Sequence, residues 1–373
     1  MLTDTEWIDV QAIEAIAADV ASFASMFTKL KSHPEAALLF PGLIPQASMF
    51  AVESCRFIGT LSPEIRKALS NISVDNLQQP RHRAKLLDDQ YKSVEEVSDD
   101  LVKISEQQRK LFLEPHKGFL GPLKRIIQPD LGISTYAGHI FSTTHATAFN
   151  FGNLGYDAKS ASSIGHQLGQ YTASLIALFN IQLHPSFPTA VLPEKITMKD
   201  IKAKSLYRRG PLGMAPLSLA TGLTFLLVNL NYVNYITRGL LIAGNLSLFR
   251  LKFISAFHAN ENLKVMQSRL TLSSSTPIET AKVLRDTLNT EDGKWLRKHT
   301  KLRNLLVHYS AEPKLAASLP KNAARKQAIE HLGNGLAYEE IDIRLDKYLA
   351  KTTNLLEAGF QLSSDPFWYG IVS

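Results

Sequence analysis

The stretch WLRKHTKLRNLLVHY, residues Trp295 to Tyr309, is where polar residues stand in a pattern that suits chemistry rather than solubility. A helical rotation of about 100° per residue puts Trp295, Leu302, Leu306 and Tyr309 on one apolar side, with His299 beside them. Asn304 and His308, four positions apart, then share the opposite side. Arg303 lies five residues before His308 and so about 140° away from it on an ideal helix. One straight helix does not easily aim both groups at one atom. Either the long Arg303 side chain wraps around, or a second copy of the helix completes the site.

The run Arg303, Asn304, Leu305, Leu306, Val307, His308, Tyr309 resembles the signature of the HEPN superfamily of small helical-bundle ribonucleases and nucleotide-binding domains. That signature is an Arg and a following His with four to six residues between them, often with a polar residue directly after the Arg. The loose spacing recurs at Arg109 with His116 and at Arg325 with His331. Pro115 interrupts the first of these, and in neither is the Arg followed by Asn. The bland alternative is a surface Arg and a capping or packing His on an ordinary helix. The resemblance covers residues 205 to 365 and implies a homodimer in which two such helices pair to form a metal-independent RNA-cleaving site.

In that chemistry the substrate's 2′-hydroxyl is the nucleophile, which is why RNA rather than DNA is implied. His308 is the candidate acid or base, because imidazole is the side chain whose proton exchange suits such chemistry. Arg303 is the candidate phosphate ligand, because a guanidinium matches two phosphate oxygens. Asn304 orients His308 or donates to phosphate. Tyr309 falls toward the core. The family further suggests a toxin or antiviral defence effector, with the N-terminal segment sensing or restraining it and with room for an antitoxin or regulatory partner.

Charge supports the same end of the chain. Residues 1–200 carry 18 Lys and Arg against 21 Asp and Glu, a net of −3, whereas residues 201–373 carry 23 against 13, a net of +10. Lys294, Arg297, Lys298 and Lys301 precede Arg303 without an intervening acid, and such a cluster attracts a phosphate backbone. The alternative is a solvated basic face. The lone Cys55 excludes a disulfide framework and a cysteine-rich zinc site. No HExxH sequence, dense carboxylate group or phosphate loop is visible, so neither a metal nor a cofactor is expected. His139, His145 and His166 have no acidic or cysteine partner at ligand spacing and read as surface or core-edge residues. The N-terminus lacks a signal-peptide pattern, and a cytoplasmic location is expected.

Helical periodicity dominates the rest. Ile13, Ile16, Val20, Phe23, Phe27 and Leu30 recur at three and four. After a turn-rich stretch with Pro41 and Pro45, a helix is expected from Gln46 to Leu61. Leu87, Tyr91, Val94, Leu101, Ile104 and Leu111 mark another. Between Glu114 and Gly155 the periodicity fails and reads as loop, and a helix follows His166. Further helices are expected near 215–237, 247–270, 277–309 with a break near Gly293, and 338–358. The expected fold is all-α: a helical domain of residues 1–200, then an antiparallel, HEPN-like helical bundle of residues 201–373.

Two rival readings use the same residues. A non-catalytic HEPN-like bundle would bind nucleotide, RNA or a protein partner through the basic face and would not need a titrating His308. The uncharged run Gly210 to Thr237 is long enough to cross a bilayer. Its Pro211, Pro216, Asn229, Asn231 and Asn234 are costly in hydrocarbon, and a central helix in a bundle is equally apolar all round.

Overall fold

The computed structural model describes residues 4–61, 67, 74–85, 103–104, 106–107, 129–151, 158–182, 192, 195–242, 244–271, 278–309, 315, 318–320 and 324–362. The chain is mainly helical. The N-terminal helices are α1 (Asp4–Lys31), α2 (Ala36–Leu61), α3 (Gln78–Arg83), α4 (Thr144–Asn150) and α5 (Ala158–Leu178). Two short helices, α6 (Ala203–Tyr207) and α7 (Gly210–Gly213), lead into α8 (Leu217–Leu240), whose segment Tyr232–Thr237 is wound as a π-helix. Then come α9 (Leu246–Thr271), α10 (Ile278–Leu288), α11 (Glu291–Arg297), α12 (Thr300–His308), α13 (Arg325–Leu332) and α14 (Tyr338–Gly359). The expected helix through Leu87 and Leu111 lies mostly outside the described residues.

The all-α expectation needs correcting at one place. A three-stranded antiparallel sheet, in the order β2-β1-β3, is formed by β1 (Leu131–Tyr136), β2 (His139–Thr143) and β3 (Ile196–Ile201). The first two strands fall in the stretch read as loop. Their two-residue connection, Ala137 and Gly138, has positive φ at both positions (50° and 83°), the geometry that a tight hairpin between twisted strands requires. Both strands are short and almost wholly buried, so neither shows the inside–outside alternation by which a strand is recognised.

Helix α2 also starts earlier than expected and takes in Pro41 and Pro45. A proline at 45 leaves the carbonyl of Pro41 without its helical donor. Asn150 of α4 fills the gap, its Nδ2 donating to that carbonyl at 3.2 Å. Nearby, α2 and α8 approach closely at Gly42, where a Cβ would collide with the Tyr232 ring. The Tyr232 hydroxyl donates to the Leu39 carbonyl at 2.8 Å.

The apolar run in α8 is accounted for by packing: 89% of its most apolar window is buried inside the fold. By length and composition Asp9–Lys31 and Ala36–Leu61 are also apolar enough to cross a membrane, and 56% and 67% of their windows are buried. Helix α9 packs against α1, α8, α10, α11, α12 and α14. One apolar cluster joins Met49, Leu131, Ile133 and Ile140 to the helices beyond residue 201, and the other joins α1, α2 and α5 to Tyr232, Leu248, Leu251 and Tyr309. Both clusters therefore span position 200.

A buried ion pair ties the two halves together. Asp19 of α1 and Arg250 of α9 are 3% and 4% exposed, and Arg250 Nη1 donates to Asp19 Oδ2. The Tyr309 hydroxyl donates to the same carboxylate oxygen, and the Arg250 guanidinium lies 4.4 Å from the Tyr309 ring centre. Removing one partner of such a pair leaves an uncompensated charge in the interior. Asp19→Ala should destabilise the chain by about 3–5 kcal/mol, read from the midpoint of urea unfolding. A loss below about 1 kcal/mol, the value of an exposed pair, would show that water reaches Arg250.

Candidate functional site

The stretch Trp295 to Tyr309 is two helices rather than one. Helix α11 closes with Lys298 N–H donating to the Trp295 carbonyl and His299 N–H to the Leu296 carbonyl, three residues back rather than four. His299, at φ −108° and ψ 40°, is the hinge from which Thr300 starts α12. Its Nδ1 bonds the Trp295 carbonyl at 2.6 Å, and its ring stacks on the Trp295 indole at a centroid distance of 4.0 Å. The shared apolar face expected for Trp295, Leu302, Leu306 and Tyr309 is thus broken at His299. Tyr309 lies beyond the last turn, with φ 59°, and is wholly buried.

Arg303 and His308 reach different neighbours, as their angular separation on α12 requires. Arg303 Nη1 donates to Asn304 Oδ1 at 3.0 Å, and its guanidinium lies 5.8 Å from the Phe257 ring centre on α9. His308 turns toward α2, and its Nδ1 sits 2.8 Å from Glu53 Oε2. The imidazole is 39% exposed while Glu53 is 3% exposed. In this arrangement Asn304 pairs with Arg303, and the carboxylate that meets the His308 ring is Glu53.

Glu53 is itself fixed. Arg81 of α3 donates from Nε to Glu53 Oε1 at 2.7 Å and from Nη2 to the same oxygen, and the exposed Arg56 adds a bond at 3.4 Å. Burial pushes the Glu53 carboxyl up, but the hydrogen bonds from His308 and Arg81 and the positive charge on both together outweigh it and hold the group at about 2. An ionised carboxylate only accepts hydrogen bonds, so His308 Nδ1 must carry the proton. When the ring is neutral, Nε2 is then its basic nitrogen.

The basic residues divide. Lys298 and Lys301 are exposed. Lys294 is exposed beside Glu291, with 3.3 Å between charged atoms. Arg297 is turned inward, donating to Asn260 Oδ1 at 2.9 Å and to the Leu288 carbonyl at 3.0 Å. Arg325, part of the loose second copy of the motif, donates to the Leu305 carbonyl at the end of α12. Arg109 and His116 lie outside the described residues.

The other histidines are dispersed. His139 Nδ1 lies 2.9 Å from Glu357 Oε1 and its ring stacks on Tyr235, whereas His166 is exposed on α5. His145 is buried with Nδ1 2.8 Å from the Tyr207 hydroxyl. Among the described residues no group of three His, Cys, Asp or Glu is placed to hold a metal ion.

Sequence reasoning missed Glu53 and Arg81. The signal for Glu53 was present: it sits four residues from both Met49 and Phe57, an acid on the buried face of an apolar helix. No family model, curated protein or solved structure matches the chain.

Burial lowers the His145 imidazole to about 4, against an ordinary 6.5, with the Asp130 charge opposing the shift. The unfolded chain therefore binds a proton here before the folded one does. The stability tied to a neutral His145 is complete above pH 6.5 and is lost as the pH falls toward 4. Urea midpoints of His145→Gln should fall less steeply than those of the parent chain between pH 6.5 and 4. Parallel slopes would show that His145 is protonated in the folded state.

Proposed function

We propose that the chain is a metal-independent endoribonuclease of HEPN type that uses His308 for proton transfer and Arg303 for the scissile phosphate. The observation that carries this reading is the state of His308: a half-exposed imidazole fixed through Nδ1, leaving Nε2 for chemistry, on the same short helix as Arg303. The resemblance of Arg303 to Tyr309 to the family signature supplies the reaction.

In this reaction the 2′-hydroxyl gives up its proton to a base as its oxygen bonds to phosphorus. The bond from phosphorus to the 5′-oxygen breaks, and that oxygen receives a proton from an acid. The products are a 2′,3′-cyclic phosphate and a 5′-hydroxyl. Arg303 neutralises charge building on the phosphoryl oxygens. Because Arg303 and His308 diverge on one helix, a homodimer is part of the proposal: Arg303 of one copy faces His308 of the other, and the two imidazoles serve as base and acid. Lys298 and Lys301, with Lys294 further along, guide the backbone toward this face.

Purified protein should cut RNA in excess EDTA, and a 2′-deoxyribose at the cleavage point should abolish cutting there. His308→Ala should lower the cleavage rate by about 10²–10⁴-fold with RNA affinity within a few fold, whereas Arg303→Ala weakens both. A requirement for added magnesium, or equal cutting of the 2′-deoxy substrate, would exclude this mechanism. Tight RNA binding without cleavage under any condition would assign the face to a non-catalytic binding bundle.

The shared site also predicts that cleavage activity follows the dimer in light scattering at micromolar concentration. A fully active monomer would remove the two-copy arrangement.

A further inference from the structure

The residues around His308 that make it usable as an acid or base come from the other half of the chain. Glu53 lies on α2 and Arg81 on α3, both before residue 200, while His308 ends α12. Both side chains are buried, at 3% and 6% exposure. They are joined by two bonds to one carboxylate oxygen, and the second oxygen faces the imidazole.

A solvated surface pair would not have this form. The Arg81 fork and the Arg56 contact occupy Oε1, so the carboxylate cannot turn without giving up charge-assisted bonds in the interior. Its free edge is thereby aimed at His308 Nδ1.

We propose that Glu53, pinned by Arg81, is the positioning residue of the His308 site, holding the proton on Nδ1 so that Nε2 is the nitrogen that takes up and gives back protons. Helices α2 and α3 are then part of the working site, and the segment 1–200 is more than a sensor laid over a self-sufficient bundle.

Glu53→Gln separates orientation from packing. The glutamine keeps the shape and can still accept from Arg81, but its amide nitrogen then faces His308 and donates. Nδ1 must become the acceptor, and the proton moves to Nε2. Replacing a histidine-orienting carboxylate by its amide in a catalytic triad lowers kcat by about 10⁴-fold through this exchange.

The test uses the full chain and two readouts. The first is nitrogen-15 NMR of His308, assigned by the signal lost in His308→Gln. The parent chain above neutral pH should show a protonated Nδ1, and Glu53→Gln should show a protonated Nε2. The second rests on the ribonuclease reading: Glu53→Gln should lower kcat for RNA by about 10²–10⁴-fold with KM changed less than about threefold. Glu53→Asp should recover part of the rate, since it restores an acceptor-only group.

A parent chain with the proton on Nε2 overturns the proposal and needs no variant to fold. So does Glu53→Gln with unchanged tautomer and rate. If the parent chain shows protonated Nδ1 and the variant shows the exchange, but neither cuts RNA, Glu53 is confirmed as the orienting group and it is the ribonuclease reading that fails.

Discussion

The last turn of α12 must end inside the protein, and most of the structure around it follows from that. A helix leaves its final carbonyls without intrahelical donors, and in the interior no bulk water replaces them. Here two arginines do so. Arg250 Nε donates to the Leu306 carbonyl, with Nη2 3.4 Å from that of Val307, and Arg325 Nη2 donates to Leu305 at 2.8 Å. Two cations at a helix C-terminus also match the negative end of its dipole. A buried guanidinium needs a counter-charge in turn, and Asp19 provides it, which fixes α1 against α9 and α12. Burial would lower the Arg250 guanidinium, but the surrounding negative charge, that of Asp19 foremost, together with the hydrogen bond to Asp19 outweighs it and raises the group above its usual range.

This arrangement sets where the next side chain can go. With Tyr309 turned into the interior at positive φ, its hydroxyl on Asp19, the backbone at His308 is held from both sides. His308 is thereby presented to α2, where Glu53 waits with one oxygen already taken by Arg81. Glu53 also acts on Arg250, raising its pKa along with Asp19. The two buried carboxylates thus belong to one electrostatic system, with α12 running through it. A single replacement in the Asp19–Arg250 pair would be felt at His308 through backbone position, although neither residue touches the imidazole.

The sequence showed the helices well where one face is buried and the other wet. Ile16, Val20, Phe23 and Leu30 are core residues of α1 as their spacing requires, and Ile341, Leu345, Tyr348, Leu349 and Leu356 do the same for α14. It showed less where burial is two-sided. The hairpin of β1 and β2 has no exposed face to produce alternation, and the π-wound segment near the end of α8 has no distinct pattern in an uncharged run that is buried on nearly all sides. The break at His299 was hidden for another reason: it depends on a side chain bonding a carbonyl four residues back, which periodicity does not register. Asp19 and Glu53 were legible in principle. Each stands on the apolar stripe of its helix, Asp19 three residues after Ile16 and four before Phe23, and an ionisable group there demands a buried partner. What the sequence withheld was the partner's identity, since Asp19 meets Arg250 and Glu53 meets His308 across separations of more than two hundred residues.

The basic run shows the converse limit, in which composition overstates what a surface offers. Five cations precede His308 between positions 294 and 303, but they do different work. Arg297 is spent holding α11 to Asn260 and to the end of α10, and its loss would be a packing defect before it was an electrostatic one. Lys294 shares its charge with Glu291 on the next turn of the same helix. Arg303 is half-buried against Asn304 and Phe257, which restrains the guanidinium. Only Lys298 and Lys301 remain of the five as exposed cations for which no acid stands within ion-pair distance among the described contacts. Since the salt dependence of nucleic-acid binding scales with the phosphates actually neutralised, one copy of this face corresponds to a shallow dependence. On the proposed ribonuclease reading, a steep one requires cations from a second copy or from elsewhere on the chain, so the salt slope would tell whether more than Lys298 and Lys301 of one copy meet the phosphates.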